Sequence, residues 1–515
     1  MDAARRIRSL DCLQRVQNWI YLMRIIWCPT GRDLWFDLAV KMQSESLAEI
    51  VMWLGDDRHE KKAITQFPGA KVLSLDATRW QNQTVPQTSS AQCRKSQLWL
   101  ANDWYPIRDI ATKLIDRDDK EGRLSPLERE AYLHELIFWA VSEIENLRPE
   151  AIVLAEAAHS TQQYVLQAVA RVMGVKVLHF VSWPILPGLE LRTSGEGPRE
   201  FADQVAGERT SFLVSAFAEV DAYIKKFKDG DYGFEPRYMK LQSDAAHAGE
   251  GRLLSSLIRK FFSTLRLLSG KHRKWATARK ALIHAQSVIG QSKTVGAKPY
   301  VYFPLHYEPE RTTTPDGAMY RDQLQALALL RSIVPDEVEI IVKEHPSTHN
   351  QRMLGHLGRH PRHYKALTRI AGLCLLPHTT PSNQLLSGCV AVATITGTAA
   401  LEGAILGKPA LYFGNPWYQD CPNTLRYDQK LTWKDILQSS SSSLEHIREW
   451  LVATLTSHVV PGTINPSNES YFSNWYTNDT FRTEEFDCIF NILKKALLQQ
   501  VIENNQKQSL KVNGK

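Results

Sequence analysis

Short apolar runs alternate with amphipathic stretches along much of this chain. In the first half, residues 50–54 and 71–75 have the length and apolar content of buried strands. Residues 151–155 and 175–181 are two more such runs, and the stretch between them, residues 161–173, has helical periodicity. A strand, a helix and a second strand in this order predict a right-handed βαβ unit with a parallel sheet.

A second alternating series begins at Pro299. Strands are predicted at 300–306, 338–343, 372–376, 389–395 and 410–413, and helices at 319–333 and 398–406. Glycine and proline predict a loop at 184–197, and residues 444–498 are predicted to be mostly helical. The pattern therefore predicts an α/β fold with two facing Rossmann-like domains and a C-terminal helical tail.

The changes in pattern also predict where the domains divide. We expect an N-terminal Rossmann-like domain over 1–240, a basic interdomain linker or helical segment over 241–298, a C-terminal Rossmann-like domain over 299–435, and the helical tail over 436–515. Ligands of open parallel sheets bind at the carboxyl ends of strands. The chemistry is therefore expected in the loops that directly follow the strands.

Composition and cysteine usage narrow the class of protein. Of the 515 residues, 43% are hydrophobic and 23% are charged, which is typical of globular domains. Seven scattered cysteines without a C-x-x-C pair indicate a reducing compartment and argue against a disulfide framework or a zinc ribbon. The best candidate for a membrane span, residues 19–27, is too short and contains Arg24. We expect a cytoplasmic protein without a secretory signal.

The net charge of +7 is local. No acidic residue occurs from Gly251 to Tyr307, whereas eleven lysines and arginines do, and the rest of the chain is mildly acidic. Within this stretch, the segment from Arg252 to Lys280 has the pattern of a basic amphipathic helix, which can lie on anionic lipid at about 1 kcal/mol per nearby cation. A solvated interdomain helix fits the charge pattern equally well.

Two polar segments follow predicted strands of the second series. His306 and Glu308 begin a loop, 306–317, that is more polar than a connection needs, and a solvated surface loop is the alternative. Lys343 and His345 stand in a Lys-Glu-His-Pro motif at the end of another strand. An imidazole at that place can donate a proton or bind phosphate. Capping of the next helix is the other interpretation of His345.

A Thr-Gly-Thr turn joins a further strand of this series to a helix. Thr396, Thr398 and the amides at the helix start can form an anion site, and Gly397 lets a ligand approach the backbone closely. Glu402 lies one helical turn after Thr398 and can accept hydrogen bonds from both ribose hydroxyls, unless it simply faces solvent. The spacing of the glycines excludes a Walker A loop.

The first series offers Glu156 and His159 at the end of its clearest strand. A carboxylate and an imidazole at this place can serve as base, nucleophile or acceptor-binding group. Alternatively, Ser160 or Thr161 caps the following helix, and Glu156 and His159 have no role in the chemistry. The acidic residues at 116–119 are interpreted as a solvated turn, and the sequence contains no histidine and cysteine cluster with metal-ligand spacing. No metal site is therefore predicted.

Taken together, the motifs of the second half resemble the bacterial capsule and surface polysaccharide biosynthesis family, which includes the Kdo transferases of capsule assembly. The resemblance covers residues 299–418, with a fainter similarity over 151–187. It rests on three motifs: Tyr302-Phe-Pro-Leu-His-Tyr-Glu-Pro-Glu-Arg-Thr-Thr, Lys343-Glu-His-Pro, and Thr396-Gly-Thr-Ala-Ala-Leu-Glu leading to Gly407-Lys-Pro. It implies a GT-B glycosyltransferase whose second domain binds the nucleotide sugar and whose first domain faces the acceptor.

The resemblance also implies roles for the candidate residues. His345 would meet the donor phosphate, which Thr396 and Thr398 would hold, and the ribose would lie against Glu402. The donor-binding set is His306, Glu308, Lys343, His345, Thr396, Gly397, Thr398 and Glu402, and the catalytic set is Glu156, His159 and His345. The nucleotide sugar is then a co-substrate, and neither a bound cofactor nor a metal is expected.

The leading hypothesis is a metal-independent glycosyltransferase that moves a CMP-activated, Kdo-like or other nonulosonic acid to a lipid-linked or growing surface polysaccharide. Such an enzyme would work in the cytoplasm and contact the inner face of the plasma membrane through the segment from Arg252 to Lys280. The alternatives are a nucleotide-sugar epimerase of similar two-domain fold and a non-catalytic, membrane-associated polysaccharide assembly factor. Nucleic-acid binding is not expected because no recognised fold motif accompanies the basic stretch.

Overall fold

The structure, a computed structural model, describes residues 22–76, 104–119, 122–193, 209–230, 270–290, 295–348 and 355–513. Two mainly parallel β-sheets organise these residues, one in each half of the chain. Each sheet has an apolar cluster on both of its faces, because its central strands are buried runs that need cover on both sides.

The first sheet has seven strands in the order β13-β6-β5-β4-β1-β2-β3. They are β1 Met23–Cys28, β2 Ala48–Gly55, β3 Lys71–Ser74, β4 Ala151–Leu154, β5 Lys176–Trp183, β6 Gly188–Thr193 and β13 Val459–Pro461. The helices of this half are α1 Asp33–Ser44, α2 Glu60–Gln66, α3 Trp104–Asp118, α4 Pro126–Leu147, α5 Thr161–Val172 and α6 Thr210–Lys228. Strands β1 to β5 pair in parallel, whereas β6 and β13 are antiparallel to their neighbours.

The predicted loop at 184–197 is wrong in part, because residues 188–193 form β6. Pro184 and Pro187 lie in the tight connection between β5 and β6, and Leu189 and Leu191 are fully buried beyond it. The strand was not predicted because it contains Glu190 and Arg192, and charged residues are seldom found inside a sheet. They are buried as a pair, with Arg192 Nη2 at 2.8 Å from Glu190 Oε2.

The second sheet has six parallel strands in the order β12-β11-β10-β7-β8-β9. They are β7 Tyr300–Pro304, β8 Glu339–Lys343, β9 Leu373–Leu376, β10 Ala391–Thr394, β11 Ala410–Tyr412 and β12 Thr424–Arg426. The helices of this half are α7 Gly270–Gly290, α8 Gln323–Ile333, α9 Gly355–Gly358, α10 Pro361–Leu367, α11 Ser382–Gly388, α12 Ala399–Ile405 and α13 Trp433–Gln438. The strands predicted from the five apolar runs of this half are confirmed as β7 to β11.

In both sheets the chain leaves a central strand on one side and later returns on the other. Strands β8 and β9 follow β7 on one side, and β10 then pairs with the other edge of β7. Likewise β2 and β3 follow β1, and β4 pairs with its other edge. Such a reversal opens a crevice at the carboxyl ends of the central strands, where ligands of open α/β sheets bind. The loops after β4, β7 and β10 are therefore best placed to carry chemistry.

The C-terminal tail returns to the first domain. It comprises α14 Leu444–His458, β13, α15 Pro466–Tyr471 and α16 Asp479–Asn513. Ile489 and Leu493 of α16 are fully buried in the same apolar cluster as Trp35. Arg32 Nη1 lies 2.7 Å from Glu485 Oε1, and both side chains are buried. The predicted fold class, with two Rossmann-like α/β domains in the GT-B manner and a helical tail, is confirmed; the exact domain boundaries stay a prediction.

The basic segment is described only in part. Residues 252–269 lie outside the described ranges, whereas residues 270–280 begin α7. Leu282 of α7 is buried in an apolar cluster of the second domain. Among the described residues, no helix has the length and apolar content that crossing a membrane requires.

Candidate functional site

The carboxyl ends of the two sheets meet through an ion pair between domains. Arg311, in the loop after β7, places its Nη1 3.6 Å from Oε2 of Glu156, which follows β4. The Arg311 Nε also lies 3.4 Å from Asp316 Oδ2 in its own loop. Burial raises the pKa of Glu156, and the Arg311 guanidinium works against that rise. The predicted residue Glu156 therefore faces the second domain across the crevice.

Arg117 at the end of α3 makes a second link between the domains. Its Nη1 donates to Thr314 O at 3.1 Å, and its Nη2 donates to the main-chain oxygen of His159. His159 is exposed as a residue, yet desolvation, followed by the charges of Arg117 and Arg311, lowers the pKa of its ring to about 3. Ser160 caps α5 by accepting the Gln163 amide at 3.2 Å, so the capping alternative is also realised here.

The interpretation of residues 116–119 as a solvated turn is wrong. Residues up to Asp118 belong to α3, and Asp118 Oδ2 accepts a hydrogen bond from Thr161 Oγ1 at 2.6 Å. Asp119 is buried and accepts the amides of Arg123 and Leu124 at 2.8 and 2.9 Å. These carboxylates hold α3 against α5 and α4. Local composition does not predict such contacts.

His306 and Thr396 join the two loops at the switch point of the second sheet. The Thr396 amide donates to His306 Nε2 at 3.2 Å, so the neutral ring carries its proton on Nδ1. His306 is 7% exposed, and its Nδ1 has no hydrogen-bond partner among the described residues. Desolvation, followed by the charges of His345 and Arg359, lowers the pKa of His306 to about 3. His306 is therefore an uncharged donor at neutral pH.

Hydrogen bonds to other protein atoms hold the Thr-Gly-Thr turn in place. Thr396 Oγ1 donates to Thr312 O at 2.6 Å, and the Gly397 amide donates to Thr394 Oγ1 at 3.1 Å. A Cβ at Gly397 would lie 2.8 Å from Thr394 Oγ1 and 3.3 Å from His306 Nε2, so a side chain there has no room. Two amides of the predicted anion site are thus already used by protein acceptors.

Thr398 and Glu402 occupy one face of α12, as their spacing predicts. Thr398 Oγ1 donates to Glu402 Oε1 at 3.0 Å. The Glu402 side chain is half-buried, not solvent-facing, and burial raises the pKa of its carboxyl. A second carboxylate oxygen stays available for a ligand hydroxyl.

Lys343 and His345 of the Lys-Glu-His-Pro motif lie in different environments. Lys343 Nζ donates to Ser382 Oγ at 2.5 Å, and desolvation lowers the pKa of Lys343 to about 8. His345 Nδ1 accepts the Ser347 amide at 3.2 Å, as in the capping interpretation. Its Nε2 therefore carries the ring proton and can still donate to a ligand. Desolvation first, with Arg359 and Lys343 contributing, lowers the pKa of His345 to about 4.

Glu308 and His306 are both hydrogen-bonded to the same glutamine. Gln323 Nε2 donates to Glu308 Oε1 at 2.5 Å, and Gln323 Oε1 accepts the His306 amide at 2.8 Å. Burial raises the pKa of Glu308. The loop 306–317 is thus packed into the domain and is not the solvated surface loop of the alternative.

Sequence reasoning missed several charged residues that hold these loops. They are Arg117, Arg311, Asp316, Glu344 and Arg359. Arg311 and Glu344 stand inside two of the quoted motifs, Pro-Glu-Arg-Thr and Lys-Glu-His-Pro, which were the available signals. In the described part of the chain, no group of three or more His, Cys, Asp or Glu side chains is arranged to hold a metal ion. Metal independence stays a prediction, as do the roles of the individual site residues.

Part of the chain matches a known protein family. Residues 265–438 match the family model described as capsule polysaccharide biosynthesis protein. The match spans about a third of the chain and contains all eight residues of the donor-binding set. The predicted resemblance is confirmed for this capsule-synthesis segment. No curated protein has a significant match to the chain.

Solved structures with similar folds have little sequence identity to this chain. The beta Kdo 2,7 transferase of KpsC from Thermosulfurimonas dismutans is 12% identical, with 64% of this chain and 97% of that chain covered and a TM-score of 0.25. The beta Kdo 2,4 transferase from the same organism is 15% identical, with 59% and 87% covered and a TM-score of 0.23. The UDP-GlcNAc 2-epimerase from Neisseria meningitidis is 11% identical, with 88% and 100% covered and a TM-score of 0.20.

Proposed function

We propose that this protein is a glycosyltransferase that moves a sugar from a nucleotide donor to a glycan of a surface polysaccharide. The donor in this proposal is a CMP-activated, Kdo-like or other nonulosonic acid, and the acceptor is a lipid-linked or growing polysaccharide. The capsule-synthesis match of residues 265–438 supports the pathway class. A nucleotide sugar is the co-substrate, and no metal is required.

One observation carries the proposal: the two switch points face each other. Glu156, after β4, and Arg311, after β7, are 3.6 Å apart. On the Arg311 side, His306 and Thr396 connect the loops after β7 and β10 at 3.2 Å. A donor bound at the second switch point would therefore present its sugar to a carboxylate of the first domain.

The neutral histidines suit a departing phosphate. Transfer breaks the bond between the anomeric carbon and the phosphate oxygen, and the bonding electrons stay with the nucleotide phosphate. His345 Nε2–H can donate to that oxygen as its charge grows, while the neutral His306 ring holds the Thr396 amide, and Thr398 Oγ1 lies at the start of α12. Donors fixed in place before the reaction stabilise the developing charge without reorganisation.

Glu156 suits the role of base toward the acceptor. The acceptor hydroxyl loses its proton to the carboxylate while its oxygen bonds to the anomeric carbon. Because burial raises the pKa of Glu156, its carboxylate is a stronger base than an exposed one. Arg311 favours the ionised form that must accept the proton. His159 would act at the rim, on the acceptor side.

A membrane-bound acceptor would require the enzyme to reach a lipid surface. The segment from Arg252 to Lys280 carries nine lysines and arginines and no acidic residue. Each cation near an anionic surface contributes about 1 kcal/mol to attraction. We therefore place the enzyme in the cytoplasm with peripheral contact to the inner face of the plasma membrane.

Product analysis tests the proposal. The purified chain is incubated with a CMP-activated nonulosonic acid, with and without a glycolipid acceptor, and the sugar nucleotide and glycan are analysed by mass spectrometry. A transferase extends the glycan and consumes donor only when acceptor is present. Conversion of the sugar nucleotide alone would indicate an epimerase, and no conversion with any of the CMP, UDP and GDP sugars would reject the proposal.

A further inference from the structure

The short segment 355–359 lies between the loop after β7 and the turn after β8. A Cβ added at Gly358 would meet the main-chain carbonyl carbon of Glu308 at 2.2 Å, and one at Gly355 would meet Thr348 O at 2.7 Å. Real Cβ atoms do not approach other atoms so closely, and these opposing atoms are backbone that cannot rotate away. The two glycines therefore let the segment touch both loops directly.

Arg359 ends this segment and bonds to both loops. Its Nη2 donates to His306 O at 2.5 Å, and its Nε lies 2.7 Å from Glu344 Oε2. Glu344 Oε1 in turn accepts the His345 amide at 2.7 Å. Arg359 is 6% and Glu344 0% exposed, so the pair is held almost entirely away from water. One guanidinium thus connects the backbones that carry the two histidines.

We infer that the segment 355–359 is a positioning element that fixes the spacing between the His306 and His345 rings. Its glycines set how closely the loops approach, and Arg359 fixes their relative orientation. A planar guanidinium can bond to a carbonyl and a carboxylate at once, whereas the single ammonium of lysine cannot reproduce this fork. The consequence for donor binding rests on the proposed function, but the positioning itself does not.

The position of the rings can be read directly by NMR. Full-length protein labelled with ¹⁵N-histidine is compared with Arg359→Lys and Gly358→Ala, and the ring signals are assigned with His306→Gln and His345→Gln. Arg331→Lys is the matched control, since Arg331 also holds a main-chain oxygen, Val338 O at 2.9 Å, but at the amino end of β8. Gly296→Ala is the glycine control, because its Cβ would meet only Glu339 Oε2 at 3.8 Å.

The expected result is a shift of both ring signals in Arg359→Lys and Gly358→Ala, with none in the two controls. Thermal melting identifies a variant that fails to fold. The other variant of the pair, Gly358→Ala or Arg359→Lys, then decides the test. Unchanged signals for His306 and His345 in a folded variant of either kind would overturn the inference.

A binding titration with CMP separates this inference from the proposed function. In Arg359→Lys we expect CMP to bind about ten-fold more weakly, because a displaced histidine ring loses its hydrogen bond to the charged phosphate. Arg331→Lys should match the wild type. If the wild type binds none of CMP, UDP and GDP, the proposed function fails while the ring signals still decide the positioning. Wild-type CMP affinity together with unmoved ring signals in Arg359→Lys would reject the positioning role alone.

Discussion

Arg311 and Glu156 belong to different domains, yet their charged groups are 3.6 Å apart. The arginine follows β7 and the glutamate follows β4, so each stands at the switch point of its own sheet. The pair couples the donor side to the carboxylate that we propose as the base. Because Arg311 opposes the rise that burial causes in the pKa of Glu156, it also influences the pH at which that base is ionised.

Replacing Arg311 by glutamine should move the acid side of the pH–rate profile. Without the guanidinium the pKa of Glu156 rises further, so kcat/KM should begin to fall at a higher pH than in the wild type. Arg321→Gln is the control, since Arg321 pairs with Asp109 across the same interface without touching Glu156. An unmoved acid limb, or one at lower pH, would exclude Glu156 as the group that must be ionised.

Replacing Glu156 by glutamine should remove the base and leave donor binding intact. Loss of a general base typically lowers the rate about 10²–10⁴-fold, and we expect kcat to fall in this range. Glu150→Gln is the matched control, because Glu150 stands before the amino end of the same strand, β4. Turnover and nucleotide affinity should be measured on both variants. Near wild-type turnover in Glu156→Gln would remove this residue from the catalytic set.

The buried ring of His306 predicts a pH dependence of stability. Its folded pKa of about 3 lies below the ordinary value of 6.5, so below pH 6.5 the unfolded chain takes up a proton that the folded chain does not. The free energy of unfolding therefore falls as the pH drops from 6.5 towards 3, by about 1.4 kcal/mol for each pH unit.

Urea unfolding at pH 7.5 and 5.5 checks this prediction. His306→Gln, which keeps an acceptor for the Thr396 amide, should lose about 1 kcal/mol less than the wild type between the two pH values. His446→Gln, at an exposed position of α14, is the comparison for a change in histidine number. Equal losses in the wild type and His306→Gln would show that the His306 ring is protonated in the folded protein.

Glu402 should contribute to affinity through the ribose. Glu402→Gln replaces the carboxylate acceptor by an amide, and we expect nucleotide affinity to fall about ten-fold, as for loss of a hydrogen bond to a charged group. The loss should be smaller when the 2′-deoxy nucleotide is used, because one of the two hydroxyls is then absent. Calorimetric titration measures all four combinations. An equal loss with both nucleotides would place Glu402 away from the 2′-hydroxyl.

The basic segment should bind anionic vesicles. Vesicles of phosphatidylcholine with phosphatidylglycerol should pellet the protein, and glutamine at the eight lysines and arginines from Arg252 to Lys280 other than the buried Arg279 should abolish pelleting. Raising the salt concentration should weaken the wild-type interaction, because exposed charges are screened. Pelleting that does not depend on these charges would leave the segment an interdomain helix.

The sequence predicted most strands and helices because both sheets consist of buried apolar runs. Residues 151–155 and 175–181 correspond closely to β4 and β5, since strands buried on both faces need no alternating pattern. β6 escaped detection because Glu190 and Arg192 neutralise each other inside the sheet. A buried pair of charges has no local signature, as it becomes favourable only once the chain has brought the partners together.

The same limit applies to the candidate site. The loops that follow β7, β8 and β10 could be predicted, because position after a strand is a local property. Arg359 could not, since it bonds to His306 O from 53 positions away along the chain. Contacts of this kind depend on the packing of segment 355–359 against two loops, which neither periodicity nor spacing encodes.

The proposed enzyme must bind a nucleotide sugar at the switch point of the second sheet. A thermal-shift series with CMP, UDP, GDP and their sugars tests it most directly on the wild type, His345→Gln and Glu402→Gln. One nucleotide class should raise the melting temperature of the wild type and raise it much less in both variants. No shift in the wild type, or equal shifts in all three proteins, would show that no nucleotide binds at this switch point.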